Sequence, residues 1–173
     1  GSGKSTLVKT ILGVQKYENG SIIFNNKKID SDKYTDLRTR SLMQVVFQDP
    51  YSSFNPRHKI KRLIAEPFHL VRGLFTKKEI SNKVDIALRE VGLFPEDANK
   101  FIHEFSGGQR QRIAIARALI IKPKLIILDE AVSSLDVSIK AQILDLLAEL
   151  AEKYSLSYLF VSHDLSVVQN IAN

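Results

Sequence analysis

"LIILDEAVSSLD", residues 125–136, decides how this chain is read. Its first four residues are apolar without alternation, the mark of a strand buried on both faces and hence of a parallel sheet covered by helices. Asp129 and Glu130 arrive together at the strand's end, where such sheets present polar groups to ligands. Taken alone, Asp129 is either a carboxylate delivered to a cation site or an N-cap after a buried strand. Downstream, a helix is expected with Leu144, Leu147 and Ala151 on one face. "SYLFVSH" (157–163) is expected to be a second buried strand ending in polar residues. Strands alternating with helices predict an α/β fold with right-handed crossovers.

Upstream, "MQVVFQDP" (43–50) carries a β-rich run stopped by Asp49-Pro50, since a proline cannot continue a central strand. "ENGSIIFNN" (18–26) reads as turn, strand, turn, and Leu7 to Leu12 as a short helix closed by Gly13. Residues 50–105 change character. In "TKKEISNKVDIALREVGL" (76–93), Ile80, Val84, Leu88 and Val91 form the stripe of an amphipathic helix. Thr76 and Glu79 supply a capping box at its start, and Gly92 suits its end. The middle of the chain is therefore expected to be a helical insertion.

The 173 residues suffice for one domain with a sizeable core, and 44% hydrophobic with 25% charged residues is ordinary for a globular protein. No apolar run reaches a membrane span, and residues 1–20 lack a secretory pattern. The absence of cysteine excludes disulfides and thiolate metal sites, and agrees with a reducing compartment. The net charge of +6 fits nucleic acid, an anionic nucleotide or a membrane-proximal surface. Scattered lysines and no tryptophan leave no evident base-stacking platform.

"GSGKST" (1–6) is either a Gly-Ser linker or the end of the phosphate-binding pattern G-x-x-x-x-G-K-[ST], whose first glycine would precede residue 1. In the second case, backbone N–H groups of Gly1 to Thr6 surround phosphate oxygens at a helix start. Lys4 reaches the β- and γ-phosphates, and the Ser5 hydroxyl ligates Mg²⁺.

"FSGGQRQRIAIARAL" (105–119) settles the choice. It resembles the signature motif of the ABC-type ATPases, with Phe105 where leucine is most usual. The order resembles that family along essentially the whole chain: phosphate loop, Gln48 after a strand, signature, Asp129-Glu130, "SSLD" and His163. The linker reading therefore loses. The resemblance implies a P-loop NTPase (RecA-like) parallel-sheet core with an inserted helical subdomain. The expected division of this single domain, 1–173, is core at 1–49 and 116–173 and helical subdomain at about 50–115. It also implies a fragment truncated at both ends, lacking the strand before Gly1 and the adenine-stacking aromatic. Such a piece is expected to be unstable or inactive alone.

By residue chemistry, Ser106, Gly107, Gly108 and Gln109 form a second anion site: two glycines before a helix leave N–H groups unobstructed and the dipole adds positive charge. The plainer alternative is a helix-entry turn. By the resemblance, this site binds the γ-phosphate of ATP held by the other subunit of a head-to-tail dimer, with Asp136 reaching across. Asp129 and Gln48 join Ser5 at Mg²⁺, Glu130 positions the attacking water, and His163 contacts the γ-phosphate. Arg110, Arg112 and Arg117 either face phosphate or are solvated, at least two of them solvated. "NKVD" (82–85) matches a guanine-recognition pattern but lies inside the amphipathic helix, and is read as accidental.

Only 58 positions separate Gln48 from Ser106, too few for the coiled coils of DNA-repair ATPases of this type. Translation-associated relatives carry two such domains in tandem. "FQDPYSSFNPR" (47–57) resembles the oligopeptide, dipeptide and nickel importers, with Phe54, Ala114 and Ser134 as mild departures. The implied function is ATP hydrolysis, with Mg²⁺, powering an ABC importer of oligopeptides or dipeptides. The implied partners are a second ATPase subunit, transmembrane permease subunits and, indirectly, an extracytoplasmic binding protein, but no nucleic acid. The implied place is peripheral, at the cytoplasmic face of the membrane, with residues from Tyr51 to Arg72 relaying motion to a permease helix.

Overall fold

The computed structural model describes residues 3–29 and 36–163, so the expectations for Gly1 and Ser2 lie outside the described residues. Among the described residues the expected helices and strands appear in order, with a second hairpin strand and a further short helix besides. Helix α1 spans Lys4–Ile11, and the hairpin comprises β1, Ile22–Phe24, and β2, Lys27–Ile29. The pair is antiparallel around Asn25 and Asn26, both left-handed, the conformations a two-residue type I′ turn needs. The second hairpin strand was hidden because "KKI" carries little β signal of its own. Short helix α2 is Leu37–Leu42, and strand β3 follows at Met43–Phe47.

The expected helical insertion is present as α3 (Ile60–Ala65), α4 (Lys77–Glu90) and three short 3₁₀ turns. Thr76 caps α4 through the capping box: the Glu79 N–H donates to Thr76 Oγ1, and the Glu79 carboxylate accepts from Thr76 N–H at 2.7 Å. Val84, Leu88 and Val91 are buried and Ile80 packs beside them. Asp85 of "NKVD" sits inside α4, away from any strand end.

Helix α5, Gly107–Leu119, runs through position 115, so the helical segment and the sheet are bridged by one continuous rod. After it come β4 (Leu125–Asp129), α6 (Val137–Tyr154) and β5 (Ser157–Val161). Strands β3, β4 and β5 pair in parallel, with Phe47, Asp129 and Val161 in one register row at their C-terminal ends. The pleat separates two apolar layers. Val46, Ile126 and Leu128 face the large core with α3, α4, α5 and α6. Ile127 and Val161 face Val8 of α1, with Val45, Leu125 and Leu159 around them. Burying each of Ile126, Ile127 and Leu128, all fully inaccessible, contributes about 1.5–3 kcal/mol.

Two expectations need correction. Helix α6 buries Ile143, Leu146, Leu147 and Leu150, so of the expected face Leu147 lies in the buried stripe while Leu144 and Ala151 lie at its margins. The burial stripe follows i, i+3, i+4, i+7 from Ile143. Strand β5 is only partly buried up to Val161 because it forms one edge of the sheet among the described residues.

The helical segment is fastened to α6 by one side chain. Glu90 accepts a hydrogen bond from Tyr154 Oη and lies 3.3 Å from Lys153 Nζ. Lys153 is exposed and adds little through solvent screening; the half-buried tyrosine bond carries the contact. Glu90→Ala is expected to cost about 1–2 kcal/mol in urea unfolding, and no further loss on adding Tyr154→Phe. Additive losses would show the two side chains to be uncoupled.

Candidate functional site

The C-terminal ends of β4 and β5 and the start of α1 converge. Gly3 is the N-cap of α1 at φ 80°, a left-handed conformation that favours glycine, and a Cβ there would meet nothing within 4 Å. The loop therefore needs glycine for its backbone angle and leaves open space above the helix start. Lys4, Ser5 and Thr6 fill the first turn, Ser5 and Thr6 exposed. No acidic residue occupies that turn itself.

Glu130 stands at the centre. Its Oε1 lies 3.8 Å from Lys4 Nζ and 3.3 Å from His163 Nδ1. Its backbone is left-handed at φ 52°, unusual for a non-glycine residue. That conformation is held from both sides. The Glu130 N–H donates to Val161 O at 2.8 Å, while its carbonyl accepts from Ser133 N–H at 3.0 Å and Ser133 Oγ at 2.8 Å. Sequence reasoning missed Ser133; its hydroxyl orients the turn that aims Glu130.

Asp129 ends β4 half-buried. Burial, then the neighbouring Glu130, push its carboxyl above the usual carboxylate range, and Lys4 pulls it partly back. The structure gives it no hydrogen bond or ion pair among the described residues. A half-buried carboxylate without a partner suits a cation. No group of three or more His, Cys, Asp or Glu side chains gathers among the described residues. The oxygen donors present, the Asp129 carboxylate and the Ser5 hydroxyl, are of the kind that takes Mg²⁺, which is often held by one or two protein oxygens with phosphates and water completing the shell. The N-cap alternative for Asp129 is not what the structure shows, since α6 is capped by Asp136 instead.

Gln48 follows β3 directly, exposed, in the row beyond Phe47 and Asp129. Its carbonyl accepts a long hydrogen bond from Ser134 Oγ at 3.5 Å, joining it to the turn after β4. Ser134, noted only as a departure in sequence, is thus a link between two candidate segments.

The second glycine-rich helix start is built differently. Ser106 caps α5, its Oγ accepting from Gln109 N–H at 3.3 Å, while Gln109 Oε1 accepts from Ser106 N–H at 3.0 Å. Gln109 is therefore a capping residue in this structure. A Cβ on Gly108 would lie 2.7 Å from Ile139 Cγ2, so this glycine lets the starts of α5 and α6 meet. Gly107 has no comparable crowding, its nearest neighbour being Leu135 Cδ2 at 4.0 Å. Gly108→Ala should cost about 1–2 kcal/mol in thermal or urea unfolding, because a β-branched neighbour yields poorly. Adding Ile139→Ala should restore most of it, and failure of that rescue would remove the steric explanation.

Asp136 accepts from Ile139 N–H at 3.0 Å as the N-cap of α6 and remains exposed. The three arginines of α5 are structural. Arg110 donates to Ile102 O and lies over Tyr51; Arg112 donates to Val91 O at 2.8 Å; Arg117 donates to Ser53 O at 3.2 Å over the Phe54 ring. They pin the helical segment to α5, which corrects the expectation that at least two are merely solvated.

The ABC transporter family model matches residues 1–133. All of the chain aligns, at 49% identity, with 53% of the oligopeptide transport ATP-binding protein AppF of Bacillus subtilis. All of it also aligns, at 49% identity, with 28% of the glutathione import ATP-binding protein GsiA of Escherichia coli K12. The chain thus spans about half the length, or less, of these curated relatives. Among solved structures, cbiO1 from Clostridium perfringens, part of the ABC transporter complex cbiONQ, superposes with TM-score 0.85 at 31% identity, covering 99% of this chain and 67% of that one. A dimeric post-hydrolysis structure of the ATP-binding cassette MJ0796, bound to ADP and Pi, gives TM-score 0.80 at 30% identity, covering 96% and 72%.

Proposed function

The chain belongs to the ABC transporter family and has the P-loop NTPase fold of its cassettes, and from that premise we propose that it binds and hydrolyses ATP to power an importer, with peptides as the cargo class. The observation that carries the reading is the meeting of Lys4, Glu130 and His163 at the open start of α1, beside the Asp129 carboxyl that Lys4 also acts on. The cargo class rests on the relatives named for oligopeptide and glutathione transport, and the hydrolytic step on the cassette bound to ADP and Pi.

In this reading the phosphates lie over the N–H groups from Gly1 to Thr6, with Lys4 on the β- and γ-phosphates. Ser5 and Asp129, with Gln48 beside them, would hold Mg²⁺, which neutralises phosphate charge when bound. Glu130 orients a water toward the γ-phosphorus and takes its proton. His163 donates to the γ-phosphate, and the bond to the bridging oxygen breaks to leave ADP. Lys4 and the oriented backbone dipoles stabilise the charge that develops. The exposed Ser106, Gly107 and Asp136 turn toward the nucleotide of a second subunit, so that two molecules of ATP are clasped by a head-to-tail pair. Core segments 1–49 and 116–173 and the helical segment near 50–115 then move as the γ-phosphate is gained and lost, carrying permease subunits with them at the cytoplasmic face of the membrane. No helix among the described residues is long and apolar enough to cross a membrane, so in this scheme the permease supplies the spans.

The test is phosphate release from ATP by the full-length protein that carries these residues, with and without Mg²⁺. Hydrolysis that requires Mg²⁺ and disappears in Lys4→Ala is expected; equal release by that variant would overturn the assignment.

A further inference from the structure

At the other end of the sheet a second feature carries charge that nucleotide binding leaves unused. A groove of about 400 Å³ opens between the hairpin, α2 and the loop entering β4, lined by Phe24, Asn25, Lys27, Arg38, Leu42 and Lys124, with Thr39 beneath. Its three cations come from three separate elements: Lys27 from β2, Arg38 from α2 and Lys124 from the residue before β4. All three are exposed, and none has a carboxylate within ion-pair distance among the described residues. Lys124 is aimed by Asn25, whose Oδ1 accepts from Lys124 Nζ at 2.9 Å across 99 residues of sequence. The nearby Asp36 accepts from Thr39 N–H and Thr39 Oγ1, both at 2.8 Å, as the cap of α2, and its negative charge is also felt by Lys27.

Among the described residues, three cations against the single nearby carboxylate of Asp36 leave the groove net positive, which favours a visiting anion. The half-buried Phe24 and Leu42 give the groove an apolar floor beneath that cationic rim. Lys124 enters β4 at its N-terminal end and Asp129 leaves at its C-terminal end, roughly 16 Å away at strand rise. The two sites are therefore separate. We propose that this groove is a second anion site, which takes a phosphate-bearing ligand on Lys27, Arg38 and Lys124. A free polyphosphate and an anionic lipid headgroup share that chemistry.

The probes are sodium pyrophosphate, followed by titration calorimetry, and vesicles of phosphatidylglycerol with phosphatidylcholine, followed by co-sedimentation against pure phosphatidylcholine. Because pyrophosphate also suits the start of α1, each titration is repeated in the Lys4→Ala background. That arm also keeps this proposal separate from the nucleotide reading. Binding that survives Lys4→Ala, weakens at least tenfold in Lys27→Gln/Arg38→Gln and again in Lys124→Gln supports the site. Circular dichroism checks that the variants fold. Pyrophosphate binding alone identifies a soluble ligand, and preferential sedimentation with anionic vesicles, lost in the same variants, identifies the headgroup. If neither probe binds in the Lys4→Ala background, or if the substituted protein binds both as well as the unsubstituted one, the proposal fails.

Discussion

Glu130→Gln is expected to reduce steady-state ATP hydrolysis by at least ~10²-fold while leaving nucleotide affinity within a few-fold of the native value. The substitution is isosteric, and the backbone constraints on residue 130, from Val161 O and Ser133, involve main-chain atoms that glutamine retains. What it removes is a negative charge 3.3 Å from His163 Nδ1 and 3.8 Å from Lys4 Nζ, and with it the proposed base for the attacking water. Losing that charge also leaves Lys4 less compensated, which favours an anion beside it. The expected signature is therefore loss of kcat with affinity kept or improved, read by phosphate release and by equilibrium binding of Mg-ATP. Hydrolysis near the native rate would remove Glu130 from the chemistry, and a parallel collapse of affinity would make it a binding residue instead.

Leu128→Ala is expected to cost about 2–5 kcal/mol in chemical unfolding, a large share of the ~5–15 kcal/mol that holds a domain together. Leu128 is wholly inaccessible, lies on the central strand of the described sheet, and belongs to the same apolar cluster as α5 and α6. Those helices cannot close over the missing methyls without moving the strand that carries Asp129 and Glu130. The control is Ile23→Ala on β1, where a 70% exposed side chain should change stability by less than about 0.5 kcal/mol. Equal losses at the two positions would mean that the parallel sheet is not the organising core.

Much of this architecture could be read from the chain because burial and chemistry coincide there. "LIIL" (125–128) is apolar throughout since both of its faces are covered, by α1 on one side and by α5 and α6 on the other. The capping box of Thr76 and Glu79 is written in two residues three apart and is formed as expected. Other features depend on neighbours that no local pattern encodes. Gly108 looks like anion chemistry in sequence; only the approach of Ile139, thirty-one positions later, reveals its packing role. The left-handed Glu130 carries no sequence mark, because its conformation is imposed by Val161 and Ser133. Arg110, Arg112 and Arg117 recur on a helix like solvated cations, and it is the carbonyls of Ile102, Val91 and Ser53 that make them ties. The Ser106–Gln109 box organises the start of α5 and leaves Ser106 exposed at its mouth.

The central claim is that two glycine-started helices, α1 of one molecule and α5 of another, share each nucleotide. Sedimentation of the Glu130→Gln protein with and without Mg-ATP tests it directly, with Ser106→Asp added as the discriminating change. Aspartate preserves the cap of α5 but sets a negative charge where the phosphate of the partner is expected. The account predicts dimers with Mg-ATP, monomers without it, and monomers in both conditions once Ser106→Asp is present. A lone subunit that binds Mg-ATP fully, sediments as a monomer and is indifferent to the charge at position 106 would contradict it.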